Sequence, residues 1–194
     1  MSSKWIQTWN GYSFDLLEPR PQDINIEVIA HALSNQCRFG GHCSRFYSVA
    51  QHSVWVSHEC EPENALWGLL HDATEAYLGD VVSPLKKMRE MAGYRDIENK
   101  IHQTIAQRFS LPINIPRDVH DADCRVMVTE AYQLMQPMNQ EWQKQIEKKE
   151  IRQASWAPWY TKLRADSREN SWILTPDEAR RAFLERYWQI KVYW

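Results

Sequence analysis

The segment LLHDATEAYLGD, residues 69–80, places ionisable side chains inside a stretch that otherwise has the character of a buried helix. His71 and Asp72 are adjacent, Glu75 follows one helical turn later, and Asp80 comes just past the glycine that should end the helix. Burying charge is expensive unless the charges are paired or coordinate a metal ion. The segment therefore predicts either a structural ion pair or one wall of an active site.

Composition and charge restrict the classes of function that the chain can have. Its 194 residues suit one domain, and 43% hydrophobic with 25% charged residues is ordinary for a soluble globular protein. A net charge of −2 argues against a broad nucleic-acid surface but allows a local cationic pocket for a small phosphate ligand. The first residues show no apolar h-region typical of a secretory signal, and no run approaches the roughly 18 apolar residues of a membrane span. The four cysteines form no C-x-x-C pair, so we expect reduced thiols and a cytoplasmic protein. From the charge and the hydropathy, we expect no nucleic-acid or membrane partner.

The spacing of apolar residues predicts an all-α chain with one small β-hairpin near its start. Asn10-Gly11 between aromatic and apolar residues is a strong hairpin signal. Asp23 is the expected N-cap of the first helix, and Thr175 followed by Pro176 that of the last. The predicted helices cover residues 24–36, 48–60, about 63–79, 94–109, about 117–134, about 140–152 and 176 onward.

Polar residues on inward-facing positions of three predicted helices can meet at one point. His52 lies on one helix, His71 and Asp72 on the next, and Asp123 on a third. Two imidazoles and two carboxylates can surround a divalent ion, and this mixed nitrogen and oxygen set suits a first-row transition metal better than calcium. A cation would also supply the positive charge that buried carboxylates need. For any one of these residues alone, an ordinary core position is the competing interpretation.

The order of these residues resembles the H…HD…D pattern of the HD-domain phosphohydrolases. The likeness extends to CRF followed by YSVAQHS, to GLLHDATEAYLGDVVSPLKK and to DADCRVMVTE, and it covers roughly residues 24–135. These segments look like the small nucleotide-hydrolysing branch, which includes bacterial 5′-deoxynucleotidases and phage dATP triphosphohydrolases. The resemblance implies an HD-domain helical bundle, which we place at residues 1–137. Residues 138–194 are expected to form a helical extension packed on the same domain.

The resemblance also implies roles for individual residues. The metal ligands that it implies are His52, His71, Asp72 and Asp123, holding a divalent transition metal such as Co²⁺, Mn²⁺ or Zn²⁺, or Mg²⁺ together with substrate. Glu75 is similar to the family's catalytic acid/base residue and Asp80 to its second catalytic carboxylate. Arg38 matches an arginine that contacts the phosphate or sugar, and Lys86 stands where a phosphate-contacting lysine is expected.

The remaining candidates concern the substrate pocket and the support of the ligands. Phe39 takes a position that is commonly Trp in the nucleotidases, which leaves the base preference open, and Pro84 is a further candidate for the base pocket. His42 lies near Arg38 and either lines the pocket or is an exposed loop residue. Glu130 is either a support for the metal ligands or an exposed charge. His102 and His120, with His31 and His58, fit no motif and are assigned to surface or packing roles.

The predicted function is metal-dependent cleavage of the 5′-phosphate ester of a deoxyribonucleotide. The products are a deoxynucleoside and phosphate from a dNMP, or deoxyadenosine and triphosphate from dATP, and the sequence leaves both open. The alternative is a catalytically inactive, nucleotide-sensing HD module; retention of all four ligands with Glu75 and Asp80 favours the enzyme. A purely structural helical domain with internal ion pairs would bind no metal. We expect a small-molecule deoxynucleotide as substrate and a homo-oligomer.

Overall fold

A computed structural model describes residues 4–135, 137–148, 154 and 172–192. Over these residues the chain is mostly helical, with one antiparallel sheet of two strands, β1 (Trp5–Gln7) and β2 (Ser13–Asp15), which confirms that prediction. The helices are α1 (Ile26–Ser34), α2 (Val49–Glu59), α3 (Ala65–Leu70), α4 (Glu75–Leu78), α5 (Ser83–Lys86), α6 (Ala92–Phe109), α7 (Arg117–Leu134), α8 (Gln140–Lys148) and α9 (Pro176–Val192). Among the described helices, none is both long enough and apolar enough to cross a bilayer.

The N-terminal hairpin forms where the Asn-Gly pair predicts it. Gly11 has a φ of 86°, a backbone conformation that glycine adopts without steric cost, and its amide donates to the carbonyl of Thr8 over 2.9 Å. Phe14, in β2, is almost fully buried and stacks on Tyr77 of α4 with ring centroids 4.0 Å apart. The hairpin therefore packs behind the short helix that carries Glu75.

The N-cap predicted for α1 is wrong by two residues. The side chain of Asn25 accepts hydrogen bonds from the amides of Glu27 and Val28, at 2.8 and 3.3 Å. Asp23 instead belongs to a tight turn and pairs with Arg20 at 2.8 Å. An N-cap residue itself has extended, non-helical backbone, and Asn25 has that conformation directly before the helix.

Helix α2 lies at the centre of the fold, with α1, α3, α7 and α9 packed around it. Its contact with α3 is unusually close at Gly68, where an added Cβ would lie 2.7 Å from Cys60 Sγ and 2.9 Å from Ser57 Cα. Ala179 and Phe183 of α9 are fully buried in the same core. The close approach of α2 and α3 determines where the end of α3 points.

The predicted helix over residues 63–79 is interrupted. Helix α3 ends at Leu70, and the amides of Ala73, Glu75 and Ala76 each bond the carbonyl three residues earlier rather than four. Helix α4 then ends at Gly79, which has a φ of 80°. His71 and Asp72 consequently lie in a tight turn between two short helices, not on one regular helix.

The two C-terminal helices form as predicted within the described residues. Helix α8 covers Gln140–Lys148, while residues 149–152 of the predicted helix lie outside the described part. Helix α9 begins with a capping box, which confirms the prediction: Thr175 Oγ1 accepts from the amide of Glu178 at 3.4 Å, and Glu178 Oε2 accepts from the amide of Thr175 at 2.8 Å.

Candidate metal centre and active site

Four side chains from three parts of the fold meet at one point: His52 from α2, His71 and Asp72 from the turn after α3, and Asp123 from α7. His52 Nε2 lies 3.3 Å from His71 Nε2, 3.7 Å from Asp72 Oδ2 and 3.1 Å from Asp123 Oδ1. His71 Nε2 lies 3.2 Å from Asp72 Oδ2 and 3.9 Å from Asp123 Oδ1. In the group of His52, His71 and Asp72, the ligand atoms all lie within 4.8 Å of one another.

These separations match those of neighbouring ligands around one metal ion. Ligand atoms about 2.0–2.2 Å from an ion lie about 3.0–3.5 Å apart when they are neighbours in tetrahedral or octahedral geometry. Three of the five distances, from 3.1 to 3.3 Å, fall in this range, and the other two, 3.7 and 3.9 Å, are longer. His52, His71 and Asp72 therefore fit a first-row divalent ion, and Asp123, 3.1 Å from His52 Nε2, is a further candidate ligand beside them.

The outer nitrogen of each imidazole faces an acceptor. Glu130 Oε1 lies 2.8 Å from His52 Nδ1, and the carbonyl of Gly68 lies 2.8 Å from His71 Nδ1. A carboxylate and a carbonyl accept hydrogen bonds, so these partners assign the hydrogen to Nδ1 of each ring. Both Nε2 atoms then offer lone pairs to the cluster, as do Asp72 and Asp123. With both rings neutral, these atoms are all acceptors, so positive charge between them, from a proton or a metal ion, stabilises the arrangement.

The charges of the cluster already attract positive charge. Burial opposes protonation of His71, but the carboxylates of Asp72 and Asp123 outweigh it and raise the pKa of His71 to about 9. Although burial works against it, the neighbouring His71 charge holds the pKa of Asp72 well below its usual range. A metal ion would replace the proton that this field favours.

Glu130, left open by the sequence, supports the cluster from behind. Its side chain is 2% exposed, and its Oε1 accepts from the hydroxyl of Tyr47 at 2.6 Å as well as facing His52. Arg38 contacts both a candidate ligand and the carboxylate behind His52. Its Nη1 lies 3.3 Å from Asp72 Oδ2, and its Nε lies 3.4 Å from Glu130 Oε2. Sequence reasoning gave no signal for Tyr47, because its partner lies 83 residues away in the chain.

The turn that carries Arg38 is strained and separates the predicted substrate contacts. Phe39 has a φ of 57°, which is uncommon for a residue other than glycine, and its ring packs against Trp142 of α8 at 6.2 Å between centroids. His42 and Pro84 are exposed. Only Arg38 of these residues is brought to the ligands, and the contacts predicted for the others stay predictions.

Glu75 and Lys86 form a second charged group beside the cluster. Lys86 Nζ lies 2.8 Å from Glu98 Oε1 and 3.4 Å from Glu75 Oε1; Glu98, on α6, carried no sequence signal. Burial, reinforced by the charges of Asp72 and Asp80, raises the pKa of Glu75 to about 9. Its Oε2 is buried and has no hydrogen-bond partner among the described residues. Asp80, half-buried after α4, contributes charge, and its catalytic role stays a prediction.

A cavity of about 610 Å³ opens directly onto these groups. Its lining includes His71, Asp72, Glu75 and Lys86, residues of α6 and the segment 113–115. His102 and His120, which sequence reasoning assigned to surface or packing roles, both line it. Their contribution could not be read from the sequence because neither belongs to a motif.

The comparisons with known proteins identify relatives without an assigned activity. No family model matches the chain. The uncharacterized protein YfdR of Escherichia coli (strain K12) is 42% identical over 126 residues, which are 65% of this chain and 70% of that protein. The chain belongs to the same family as YfdR. An uncharacterized protein of Rhodobacter capsulatus is 35% identical in an alignment of 131 residues that covers 63% of this chain and 66% of that protein.

Proposed function

We propose that the protein is an HD-domain phosphohydrolase that uses a divalent transition metal ion to cleave the 5′-phosphate ester of deoxyribonucleotides. The observation that carries the proposal is the meeting of two imidazole nitrogens and two carboxylates, from His52, His71, Asp72 and Asp123. The H…HD…D order and the adjoining cavity support it. The substrate is a dNMP or dATP, and the products are the deoxynucleoside with phosphate or triphosphate.

A divalent ion on these four ligands would polarise the phosphate ester and lower the pKa of water bound to it. Arg38 contributes a permanent positive charge 3.3 Å from Asp72, next to the place where phosphoryl oxygens gain charge in the transition state. Because Asp72 and Glu130 hold its guanidinium in place, this charge is oriented before the substrate arrives.

Glu75 is suited to hold and deliver a proton. With its pKa raised to about 9 in the metal-free protein, the carboxyl keeps its proton at neutral pH, and a cation on the cluster lowers that pKa. Glu75 Oε2 is the atom available for this, since Lys86 lies beside Oε1. Proton transfer to the departing 5′-oxygen, or from an attacking water, is the role that we assign to it, with Asp80 nearby to orient the water.

Metal content tests the ligand assignment. The purified protein should carry about one transition ion per chain. Asp72→Ala and Asp123→Ala should each lose most of this metal, because each removes one coordinating oxygen and one negative charge from the site. Asp121→Ala, on the same helix as Asp123 but exposed, is the matched control and should keep its metal. Full occupancy measured by elemental analysis in both ligand variants would contradict the assignment.

Product analysis tests the reaction. The four dNMPs and dATP are incubated with protein loaded with Mn²⁺, Co²⁺ or Zn²⁺, and the phosphorus products are separated. Orthophosphate from dNMPs, or inorganic triphosphate from dATP, is the expected result, since attack is at the α-phosphorus. Pyrophosphate or release of the γ-phosphate alone would contradict that mechanism. Metal and nucleotide binding without any turnover would instead identify a nucleotide-sensing module.

A further inference from the structure

Part of the cavity wall presents carboxamides. Asn99 and Gln103 are one turn apart on α6, and Asn114 follows on the adjoining loop. All three are solvent-accessible, and within the described part of the chain their side chains make no hydrogen bond. A carboxamide offers both donors and an acceptor, so this wall can bind a ligand edge that alternates the two.

The loop that carries Asn114 is held in a defined position. Trp67 Nε1 donates to the carbonyl of Pro112 at 3.0 Å, and His102 Nε2 lies 2.7 Å from the carbonyl of Ile113. The rings of Trp67 and His102 are stacked, with centroids 5.0 Å apart and an 11° angle between their planes. Two hydrogen bonds thus attach the loop to α3 and α6, whose Trp67 and His102 rings stack on each other, and the wall is formed before any ligand binds.

The charge of the cavity lining indicates which part of the nucleotide, the nucleoside or the remaining phosphate chain, occupies the cavity. Among the described lining residues, Lys86 is the single permanent cation, and the carboxylate of Glu98 already binds it at 2.8 Å. A polyphosphate chain extending into this space would meet no unpaired cation on that lining. A neutral nucleoside meets no such penalty, and 610 Å³ is within the roughly 300–1,000 Å³ of small-molecule sites.

We propose, as an inference that rests on the proposed function, that this cavity binds the nucleoside and that Asn99, Gln103 and Asn114 hydrogen-bond the edge of the base. Sequence reasoning instead expects Phe39 and Pro84 beside the base. Neither residue lines the cavity, and the ring of Phe39 packs against α8. The carboxamide wall is therefore the surface that distinguishes one base from another.

The ranking of bases tests the location. The values of kcat/KM for the four dNMPs are measured for wild type, Gln103→Ala, Asn114→Ala and Phe39→Leu. Losing a carboxamide should shift the ratio between two bases by about tenfold, because each base offers a different hydrogen-bonding edge. Gln107→Ala, one turn further along α6 and exposed, is the control and should stay within about twofold. A ranking that moves in Phe39→Leu but not in the carboxamide variants would overturn the inference.

Binding to the metal-free protein separates this inference from the proposed function. Saturation-transfer NMR with each deoxynucleoside should detect binding in wild type and a weaker signal in Gln103→Ala and Asn114→Ala. Equal binding by wild type and both variants, or no binding by wild type, would overturn the nucleoside site even where phosphate release is observed. Absence of turnover on every nucleotide, with this binding pattern intact, would instead reject the proposed reaction alone.

Discussion

Two regions contribute to the candidate site, and they are built in different ways. The α2–α7 wall, which carries His52, Asp123 and Glu130, consists of regular helices, and its His52 is fully buried with a carboxylate behind it. The 71–86 segment consists of turns and helices of four residues, and its Lys86 side chain is 23% exposed to the cavity.

The difference separates placing the metal from performing the chemistry. Side chains of the α2–α7 wall hold one another through short hydrogen bonds in a buried setting, which fixes the orientation of an imidazole ligand. Those of the 71–86 segment are ionisable groups at the edge of a cavity, where they can exchange protons and meet a substrate. Changes in the wall should alter metal affinity and stability, whereas changes in the segment beyond Asp72 should alter turnover.

The largest effect beyond loss of the ligands is expected in the 71–86 segment. Glu75→Gln keeps the shape of the side chain but removes its acid and base function, so turnover should fall by about 10²–10⁴-fold. Metal content should be unchanged. Glu90→Gln, an exposed glutamate outside the cavity lining, should behave as wild type. Wild-type turnover in Glu75→Gln would remove the role assigned to the residue.

The same variant has a pH signature in the metal-free protein. Glu75 has a pKa of about 9 in the folded state against an ordinary value of 4.5. The unfolded chain therefore loses this proton first, and Glu75 lowers the free energy of unfolding increasingly as the pH rises from 4.5 towards 9. Between pH 4 and pH 8, the free energy of unfolding of Glu75→Gln should rise relative to that of wild type by on the order of 1–3 kcal/mol, as measured by urea unfolding. Parallel curves would contradict the raised pKa.

A smaller loss, in metal affinity, is expected in the α2–α7 wall. Glu130→Gln replaces the carboxylate that faces His52 Nδ1 with a neutral amide, which should weaken metal binding by about 10–100-fold. Tyr47→Phe removes only one hydrogen bond to Glu130 and should have a lesser effect in the same direction. Competition with a chelator measures both. An unchanged affinity in Glu130→Gln would show that the wall does not orient its ligand in this way.

Gly68 connects the two regions, because it packs closely against α2 and its carbonyl faces His71 Nδ1. Gly68→Ala places a Cβ against backbone and should lower the free energy of unfolding by about 1–3 kcal/mol, with weaker metal binding as His71 shifts. Gly93→Ala is the matched control, since nothing lies within 4 Å of a Cβ there. Its stability should be equal or higher in thermal unfolding, because alanine favours helix over glycine. Full metal affinity in Gly68→Ala would mean that the turn adjusts independently.

The smallest effect is expected at the start of α9, whose capping residues contribute nothing to the cluster or the cavity lining. Thr175→Ala removes the N-cap of α9 and should cost about 1 kcal/mol of stability. Turnover and metal content should not change, because the capping box touches neither region. A loss of activity at temperatures where the variant is folded would show that α9 is coupled to the site.

Local signals account for the parts of the fold that were predicted. The Asn-Gly hairpin, the extent of α7 and the capping box of α9 each depend on residues within one or two turns of one another. Two features escaped such signals. Asp23 and Asn25 are equally good caps by type, and only the backbone around them decides. The apolar pattern of residues 65–78 continues across the break between α3 and α4, so spacing alone does not reveal a change in hydrogen bonding.

Sequence alone determined the helical class of the chain and the choice of His52, His71, Asp72 and Asp123 as a set, because residue type and order carry that information. Only the tertiary structure decided what surrounds them. Glu130 reaches His52 across 78 residues, and α6 brings Glu98 and the carboxamides to the cavity. These hydrogen bonds and cavity walls form between chain segments that are far apart in the sequence. No local pattern encodes how closely such segments pack.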